Sequence, residues 1–204
     1  MKLKVCGMKE VDNIKSIGDL KPDYMGFIFY EHSRRNFEGI IPELPKSIKK
    51  TGVFVDEYIE IIVSLIEEYK LEALQLHGDE SVAYIQNLKS HLPSTIEIIK
   101  VFGISDDFNF DALKPFEEEV DYFLFDTKGK DRGGNGVKFD WSVLNGYSLS
   151  KPFFLSGGIG PKDLQEIKKR KASGLLIYAI DINSKFESRP GLKSVDLVNT
   201  FKNG

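Results

Sequence analysis

The chain has 204 residues, of which 41% are hydrophobic and 29% charged, with a formal net charge of −3. This length supports one sizeable hydrophobic core but not two comfortable domains, so we expect a single domain over residues 1–204. There is no basic block and no stripe of lysine and arginine between aromatic residues, which argues against a nucleic-acid partner.

A single cysteine, Cys6, excludes an intramolecular disulfide and fits a reducing compartment. Apolar stretches such as residues 59–66 are short and interrupted by charge, so we expect no membrane span. The amino terminus enters a charged strand pattern directly, without the apolar region of a secretory signal. These features predict a soluble, cytoplasmic protein.

Eight short apolar runs follow one another along the chain. They are rich in β-branched and aromatic residues and are nearly continuous, as expected for parallel strands buried on both faces. The predicted strands are Leu3–Cys6, Tyr24–Phe29, Gly52–Val55, Ala73–His77, Ile96–Phe102, Tyr122–Asp126, Pro152–Ser156 and Gly174–Ile180.

Segments with helical periodicity lie between these runs. The clearest is Tyr58–Tyr69, where isoleucines at positions 59, 62 and 66 share one face. Further helices are predicted over 78–89, 161–170 and 195–201, and the weakest over 40–50 and 108–116.

Strand starts recur at intervals of roughly 20 to 30 residues, one βα unit each. Eight such units predict a protein of the α/β class with a (β/α)₈ barrel, the TIM barrel. An open doubly wound sheet is the alternative, because alternation alone does not show closure. The first βα turn, Cys6-Gly7-Met8-Lys9, lacks a dinucleotide-binding glycine pattern, which favours the barrel.

In a barrel, functional side chains lie where strands end and βα loops begin. Cys6 ends the first predicted strand and is either a small buried apolar residue or a reactive thiol. Asp126 ends the sixth and is either a cap or structural partner, or an acid–base group with a shifted pKa. Arg34 and Arg35, after the second strand, are either a solvated pair or a fork for a carboxylate.

Two small-residue turns follow the seventh and eighth predicted strands. They are Ser156-Gly157-Gly158-Ile159-Gly160 and Asp181-Ile182-Asn183-Ser184. Barrel enzymes often hold a phosphate between these two loops, and glycine permits close approach of the backbone to the anion. Two ordinary tight turns are the alternative. Gly133-Gly134-Asn135-Gly136 predicts either a loop that closes over a site or an irregular turn.

These motifs, in their order and spacing, resemble the phosphoribosylanthranilate isomerase family of tryptophan biosynthesis along essentially the whole chain. The resemblance is carried by Lys4-Val5-Cys6-Gly7-Met8, Gly26-Phe27-Ile28-Phe29, Ser33-Arg34-Arg35, Gly52-Val53-Phe54-Val55, Leu74-Gln75-Leu76-His77-Gly78, the Asp126 strand, Gly133–Gly136 before Phe139-Asp140-Trp141, Leu155-Ser156-Gly157-Gly158, Asp181-Ile182-Asn183-Ser184 and Pro190-Gly191.

The resemblance implies an Amadori rearrangement of N-(5-phosphoribosyl)anthranilate to a carboxyphenylamino-deoxyribulose phosphate. It implies that Asp126 is the general acid for ring opening and that Cys6 is the general base at C2′. It further implies that Arg35 binds the anthranilate carboxylate. The phosphate loops would contain Gly157, Gly158, Asp181 and Asn183. No metal or cofactor is needed, because one molecule is both oxidised and reduced, and we expect a monomer, with a homodimer as the alternative.

Several positions depart from the family pattern and affect the phosphate contacts and loop rigidity rather than the acid–base pair. They are Arg34, Asp56, Lys185-Phe186 and Ser194, where proline, asparagine, Gly-Val and aspartate are usual.

Two other functions are compatible with a barrel. A metal-dependent epimerase would need His and Asp ligands at several strand ends, where only His77 is placed to help. We expect His77 to be a pocket-lining or hydrogen-bonded structural residue rather than a ligand. A barrel that binds a phosphorylated ligand without turnover is the other; the presence of both Cys6 and Asp126 argues against it.

Overall fold

The computed structural model describes residues 1–128 and 138–204. Eight strands, each parallel to its neighbours, close into a barrel in chain order. They are β1 Lys2–Val5, β2 Tyr24–Ile28, β3 Lys49–Phe54, β4 Ala73–Leu76, β5 Glu97–Ile104, β6 Tyr122–Thr127, β7 Phe153–Leu155 and β8 Ile177–Ile182. Pairing of β1 with β8, in which Lys4 stands beside Asp181, makes the closure. The predicted barrel is therefore confirmed, and the open sheet is excluded.

Five α-helices lie in the described residues, and four of them occupy predicted positions to within a few residues. The exception is α1, which the sequence patterns did not predict. Their bounds are α1 Val11–Asp19, α2 Ile59–Tyr69, α3 Val82–Ser90, α4 Leu164–Ala172 and α5 Val195–Asn203. None of the helices in the described part of the chain has the length and hydrophobicity that a membrane crossing requires.

The helix predicted over residues 40–50 is wrong. This segment contains no helix, and β3 already begins at Lys49. Pro42 and Pro45 explain the difference, since proline lacks the amide hydrogen and clashes with the preceding turn of a helix. The weak helix predicted over 108–116 is a 3₁₀ helix, Phe110–Phe116, that contains Pro115.

The barrel interior changes from apolar to polar along the strand direction. Its lower part is filled by a cluster that includes Tyr24, Leu124 and Phe154. Side chains alternate between the two faces of a strand, so the next inward-facing position of β6 after Leu124 is Asp126. Lys4 and Cys6 are likewise two residues apart on β1 and its continuation, and the polar layer lies at the carboxyl ends of the strands.

Beyond β8 the chain adds a small hairpin that covers part of this end. A short 3₁₀ helix, Ser184–Phe186, leads into β9, Glu187–Arg189, which pairs antiparallel with β10, Leu192–Lys193. Phe186 is fully buried and packs edge-on against Phe201 of α5, with ring centroids 5.0 Å apart. This contact fixes the hairpin to the barrel wall.

Candidate active site

Asp126 lies near the carboxyl end of β6, with 14% of its side chain exposed. Its Oδ1 accepts a hydrogen bond from the Thr127 amide at 2.8 Å. Burial raises the pKa of this carboxyl to about 6; Asp181 adds to the rise, and the Thr127 amide and the Lys4 ammonium oppose it. An acid with this pKa holds a proton in an appreciable fraction of molecules near neutral pH, as a general acid must.

Cys6 directly follows β1 and extends its ladder, since its amide donates to the Ile182 carbonyl at 2.9 Å. Only 4% of the residue is exposed. Burial raises the pKa of the thiol above its ordinary value of 9.0, although the Lys4 and Lys193 ammonium groups oppose this effect. Cys6 is therefore buried, as the conservative interpretation of the sequence predicts, and it also lies beside charged groups that can stabilise a thiolate.

Gly26 on the neighbouring strand makes room for this thiol. A Cβ at position 26 would lie 2.8 Å from the Cys6 Sγ and 3.1 Å from its Cα. Any other side chain would therefore displace the thiol or its backbone. No sequence pattern predicted this role for Gly26.

A buried chain of polar contacts runs beneath Cys6 and Asp126. Lys4 Nζ donates to Asp181 Oδ2 at 3.0 Å and to Gln75 Oε1 at 2.6 Å. Because its oxygen faces Lys4, the Gln75 amide turns its Nε2 to His77 Nδ1, at 3.2 Å. His77 Nδ1 is then the acceptor, and in the neutral ring the proton lies on Nε2, 3.6 Å from Asp126 Oδ2. The prediction that His77 is a pocket-lining or hydrogen-bonded structural residue is thus confirmed in its second form, the hydrogen bond.

The prediction that Asp181 begins the loop after the eighth strand is wrong. Asp181 lies within β8, is 5% exposed and is paired with Lys4. The strand is two residues longer at its carboxyl end than the apolar pattern indicates, because the Lys4 ammonium neutralises the buried carboxylate. The loop itself begins at Asn183, whose Oδ1 accepts from Lys193 Nζ at 2.6 Å.

Gly157 and Gly158 follow β7 with φ angles of 86° and 61°. Both angles lie in the left-handed region, which glycine adopts without steric cost. A Cβ at Gly157 would meet Thr127 Oγ1, would lie 2.6 Å from the Thr127 amide nitrogen and 3.1 Å from Asp126 Oδ1. The loop predicted to bind phosphate is therefore packed directly against the acidic residue.

This packing predicts the effect of Gly157→Ala. We expect kcat/KM to fall by about 10-fold to 100-fold, because the methyl group displaces Asp126, which the family resemblance implies is the general acid, and small displacements of such a group are costly. Gly174→Ala is the matched control, since Gly174 also has a positive φ, 105°, but a Cβ there meets nothing within 4 Å. It should lose about 1 kcal/mol of stability and keep its kcat. Equal activity losses in the two variants would contradict the steric explanation.

The structure distinguishes the two arginines of the β2 loop. Arg34 is exposed, whereas the Arg35 side chain is 13% exposed and forms an ion pair with Glu187 of β9. Arg35 Nε donates to Glu187 Oε1 at 3.0 Å, and Nη2 donates to the same oxygen. Arg35 also lies beside Gly7, where a Cβ would come within 2.6 Å of its Cδ. It therefore reaches the mouth of the barrel next to Cys6.

Three of the departures from the family pattern have local explanations. Asp56 has a φ of 49°, a left-handed conformation that aspartate tolerates as asparagine does. Ser194 caps α5 by accepting from the Leu197 amide, and Lys185 is exposed. The glycine-rich segment Gly133–Gly136 lies outside the described residues.

Cys6 and Asp126 share Lys4 and Asp181 as charged neighbours, so the structure brings the thiol and the carboxyl to one end of the barrel. A closed parallel barrel with an acidic residue and a thiol at the carboxyl ends of its strands is a (β/α)₈-barrel enzyme of the acid–base type. The model of the family described as N-(5'-phosphoribosyl)anthranilate isomerase matches residues 3–203. The chain belongs to this family.

Individual relatives agree with this assignment over the full length. An N-(5'-phosphoribosyl)anthranilate isomerase from Parabacteroides distasonis is 42% identical over 207 residues, covering 98% of this chain and 91% of that protein. The crystal structure of the Thermotoga maritima phosphoribosylanthranilate isomerase has a TM-score of 0.82 at 29% identity, covering 100% and 97% of the two chains. A phosphoribosylanthranilate isomerase crystallised with reduced 1-(o-carboxyphenylamino)-1-deoxyribulose 5-phosphate has a TM-score of 0.78 at 27% identity, covering 98% and 96%.

Proposed function

We propose that the chain isomerises N-(5'-phosphoribosyl)anthranilate to 1-(2-carboxyphenylamino)-1-deoxyribulose 5-phosphate, with Asp126 as general acid and Cys6 as general base. The observation that carries this proposal is the carboxyl of raised pKa, about 6, at the same barrel mouth as the thiol. Burial raises the pKa of both groups, which suits the acid, whereas the thiolate of the base depends on the Lys4 and Lys193 ammonium groups that oppose the effect of burial.

The reaction begins with proton transfer from Asp126 to the ring oxygen of the ribose. The bond between C1′ and that oxygen breaks, and the lone pair of the anthranilate nitrogen forms the C=N bond of a protonated Schiff base. The Asp126 carboxylate that remains is stabilised by the Thr127 amide, 2.8 Å from its Oδ1, and by the neighbouring His77 ring. Burial thus favours the protonated form of Asp126 before the transfer, and the Thr127 amide and His77 stabilise the carboxylate after it.

Cys6 acts in the second step. Its thiolate removes the proton from C2′, the C–H electrons form a C1′=C2′ bond, and the C=N electrons return to nitrogen. The resulting enolamine gains a proton at C1′ and loses one from the C2′ hydroxyl to give the ketone. C2′ is oxidised and C1′ is reduced in the same molecule, so the atoms and electrons balance without an external redox partner.

Arg35 is proposed to bind the anthranilate carboxylate, because its guanidinium is held at the mouth beside Gly7 and Cys6. Gly157 and Gly158, with their left-handed backbone, and Asn183 at the start of the β8 loop are proposed to surround the phosphate. Asp181 is buried against Lys4, and we assign it to holding that ammonium below Cys6. In this proposal the two charged ends of the substrate bind to different loops, and the reacting carbons lie near Cys6 and Asp126.

The test is turnover of freshly prepared N-(5'-phosphoribosyl)anthranilate, followed by loss of its fluorescence. We expect the wild-type chain to convert the substrate to the deoxyribulose phosphate, identified by mass and chromatographic retention. Buffer alone is the control, because spontaneous hydrolysis releases free anthranilate. A barrel that only binds phosphorylated ligands would show hydrolysis at the buffer rate and no ketose product, which would overturn the proposal.

We further propose a monomeric enzyme of the cytoplasm. Both proposed catalytic residues, and the arginine proposed to bind the carboxylate, come from one copy of the chain, so the site is complete without a partner subunit. The single cysteine is used for chemistry rather than for a disulfide, which fits a reducing compartment.

A further inference from the structure

Glu187, at the start of β9, lies between two cations at the barrel mouth. Its Oε1 accepts from Arg35 Nε at 3.0 Å, and its Oε2 accepts from Lys193 Nζ at 2.6 Å. Only 5% of the Glu187 side chain and none of the Lys193 side chain is exposed. Although burial opposes ionisation, hydrogen bonds from Arg35 and Lys193 hold the pKa of Glu187 below its ordinary value. The residue is therefore an anion near neutral pH.

The triad of Arg35, Glu187 and Lys193 is held in place by further hydrogen bonds. Lys193 is anchored through its backbone, which exchanges two 2.8 Å hydrogen bonds with the buried side chain of Asn13. Its ammonium also donates to Asn183 at the start of the β8 loop. The Gly191 amide donates to Glu187 Oε2 at 3.3 Å. Arg35 is thus connected through Glu187 and Lys193 to the loop proposed to hold the phosphate.

Glu187 occupies one edge of the Arg35 guanidinium and leaves the other accessible. Its carboxylate takes the Nε and Nη2 donors, whereas Nη1 has no hydrogen-bond partner within residues 1–128 and 138–204. A planar guanidinium can bind two carboxylates at once, one on each edge. Two cations and one carboxylate also leave the triad with a net charge of +1, which suits one further carboxylate.

We propose that Glu187 is a positioning residue that sets specificity for the carboxylate on the substrate's aromatic ring, by holding Arg35 with its free edge towards that group. This inference rests on the proposed function, since it assumes that the substrate carries an anthranilate. Glu187 does not touch the reacting atoms. It acts through Arg35, and its link to Lys193 fixes the distance between the carboxylate-binding and phosphate-binding ends of the site.

An alternative role for Glu187, as a competitor of the substrate for Arg35, predicts a change in ligand affinity of the opposite sign. If Glu187 only occupied Arg35 and competed with the substrate, its neutralisation would tighten the binding of carboxylated ligands. If it positions Arg35, Glu187→Gln weakens that binding, because an amide has one acceptor oxygen for two cations and must turn its NH₂ group towards one of them. The sign of the change therefore separates the two roles.

The experiment measures Kd for two probes. One is reduced 1-(o-carboxyphenylamino)-1-deoxyribulose 5-phosphate, and the other is its phenylamino counterpart, which lacks the carboxylate. We expect the wild-type chain to prefer the carboxylated probe by about 10-fold or more, as one charge-assisted contact implies. In Glu187→Gln this preference should fall to within about threefold, while the affinity for the second probe stays within threefold of wild type.

Three further variants complete the test. Arg35→Lys should lose the preference by itself, and adding Glu187→Gln to it should cause no further loss, since the two residues act as one unit. Glu10→Gln is the matched control, because Glu10 forms an exposed ion pair with Arg189 of the same hairpin, and it should change neither affinity.

Three results would overturn the inference. They are an unchanged preference in Glu187→Gln, tighter binding of the carboxylated probe, or equal weakening of both probes, which marks a structural role. Failure of the proposed function is seen separately, as absence of ketose product from the wild-type chain, and does not depend on this comparison.

Discussion

Asp126→Asn is expected to lower kcat by about 10²- to 10⁴-fold, the range that a general acid contributes. The amide cannot give a proton to the ring oxygen, yet its oxygen can still accept from the Thr127 amide, as Asp126 Oδ1 does at 2.8 Å. The site should therefore keep its shape. Affinity for the reduced product analogue should stay within about tenfold of wild type.

The same substitution should change stability in a pH-dependent way. The pKa of Asp126 rises from 3.8 to about 6 on folding, so the folded state favours the protonated form. The resulting cost is absent at pH values well below 4 and fully present above about 7, where a shift of this size corresponds to roughly 3 kcal/mol at most. Asp126→Asn should thus raise the Tm at pH 8 and leave it nearly unchanged at pH 3.5.

Asp106→Asn, in the exposed turn after β5, is the control for both measurements. It should match wild type in kcat and in the pH dependence of Tm. Two results would count against the assignment of Asp126. One is a kcat within tenfold of wild type, and the other is a loss of product-analogue affinity far beyond tenfold, which would indicate that Asp126 serves the structure of the site.

Sequence patterns predicted the barrel because its determinants are local. Each parallel strand is a short apolar run, and a polar or small residue marks the end of each strand. For β6, the apolar run and the Asp126 that ends it could both be recognised from the sequence. The helix prediction over 40–50 failed for an equally local reason, since Pro42 and Pro45 prevent the helix that a crossover of this kind usually contains.

The contacts around the site could not be predicted, because they join strands that are distant in sequence. Lys4 lies on β1, Gln75 on β4 and Asp181 on β8, and only the closed barrel brings the two oxygen atoms within 3.0 Å of the Lys4 ammonium. A signal was present, since a lysine and a glutamine interrupt otherwise apolar runs two residues before Cys6 and His77. Period-two spacing puts each pair on one face of its strand.

The role proposed for Glu187 could not be predicted from the sequence for a related reason. In the sequence Glu187 is only a polar residue after the eighth strand. Its proposed role depends on ion pairs with two cations, Arg35 from the β2 loop and Lys193 from β10. Of the two adjacent arginines, the family resemblance selected Arg35. The structure supplies a physical reason, because Arg34 is solvated and Arg35 is held.

Cys6→Ser is expected to lower kcat by about 10²- to 10⁴-fold with little change in stability. The hydroxyl fits beside Gly26 in place of the thiol, but its pKa is so high that almost no alkoxide forms at pH 8. Cys6→Ala is the matched control, and it should be as inactive as the serine variant. A serine variant that kept the full rate would remove Cys6 from the role of base.

The protonation of the thiol can be measured independently, since Cys6 is the only cysteine of the chain. Burial raises its pKa above 9.0, so alkylation by iodoacetamide, followed by mass, should be slow at pH 7. Its rate should rise about tenfold per pH unit up to at least pH 9, because only the thiolate reacts. A rate that levels off below pH 8 would show a lowered thiol pKa and contradict this picture. With the expected result, the proton must leave Cys6 in a minor fraction of molecules at neutral pH, and the ammonium groups of Lys4 and Lys193 are the contacts that keep this fraction large enough for catalysis.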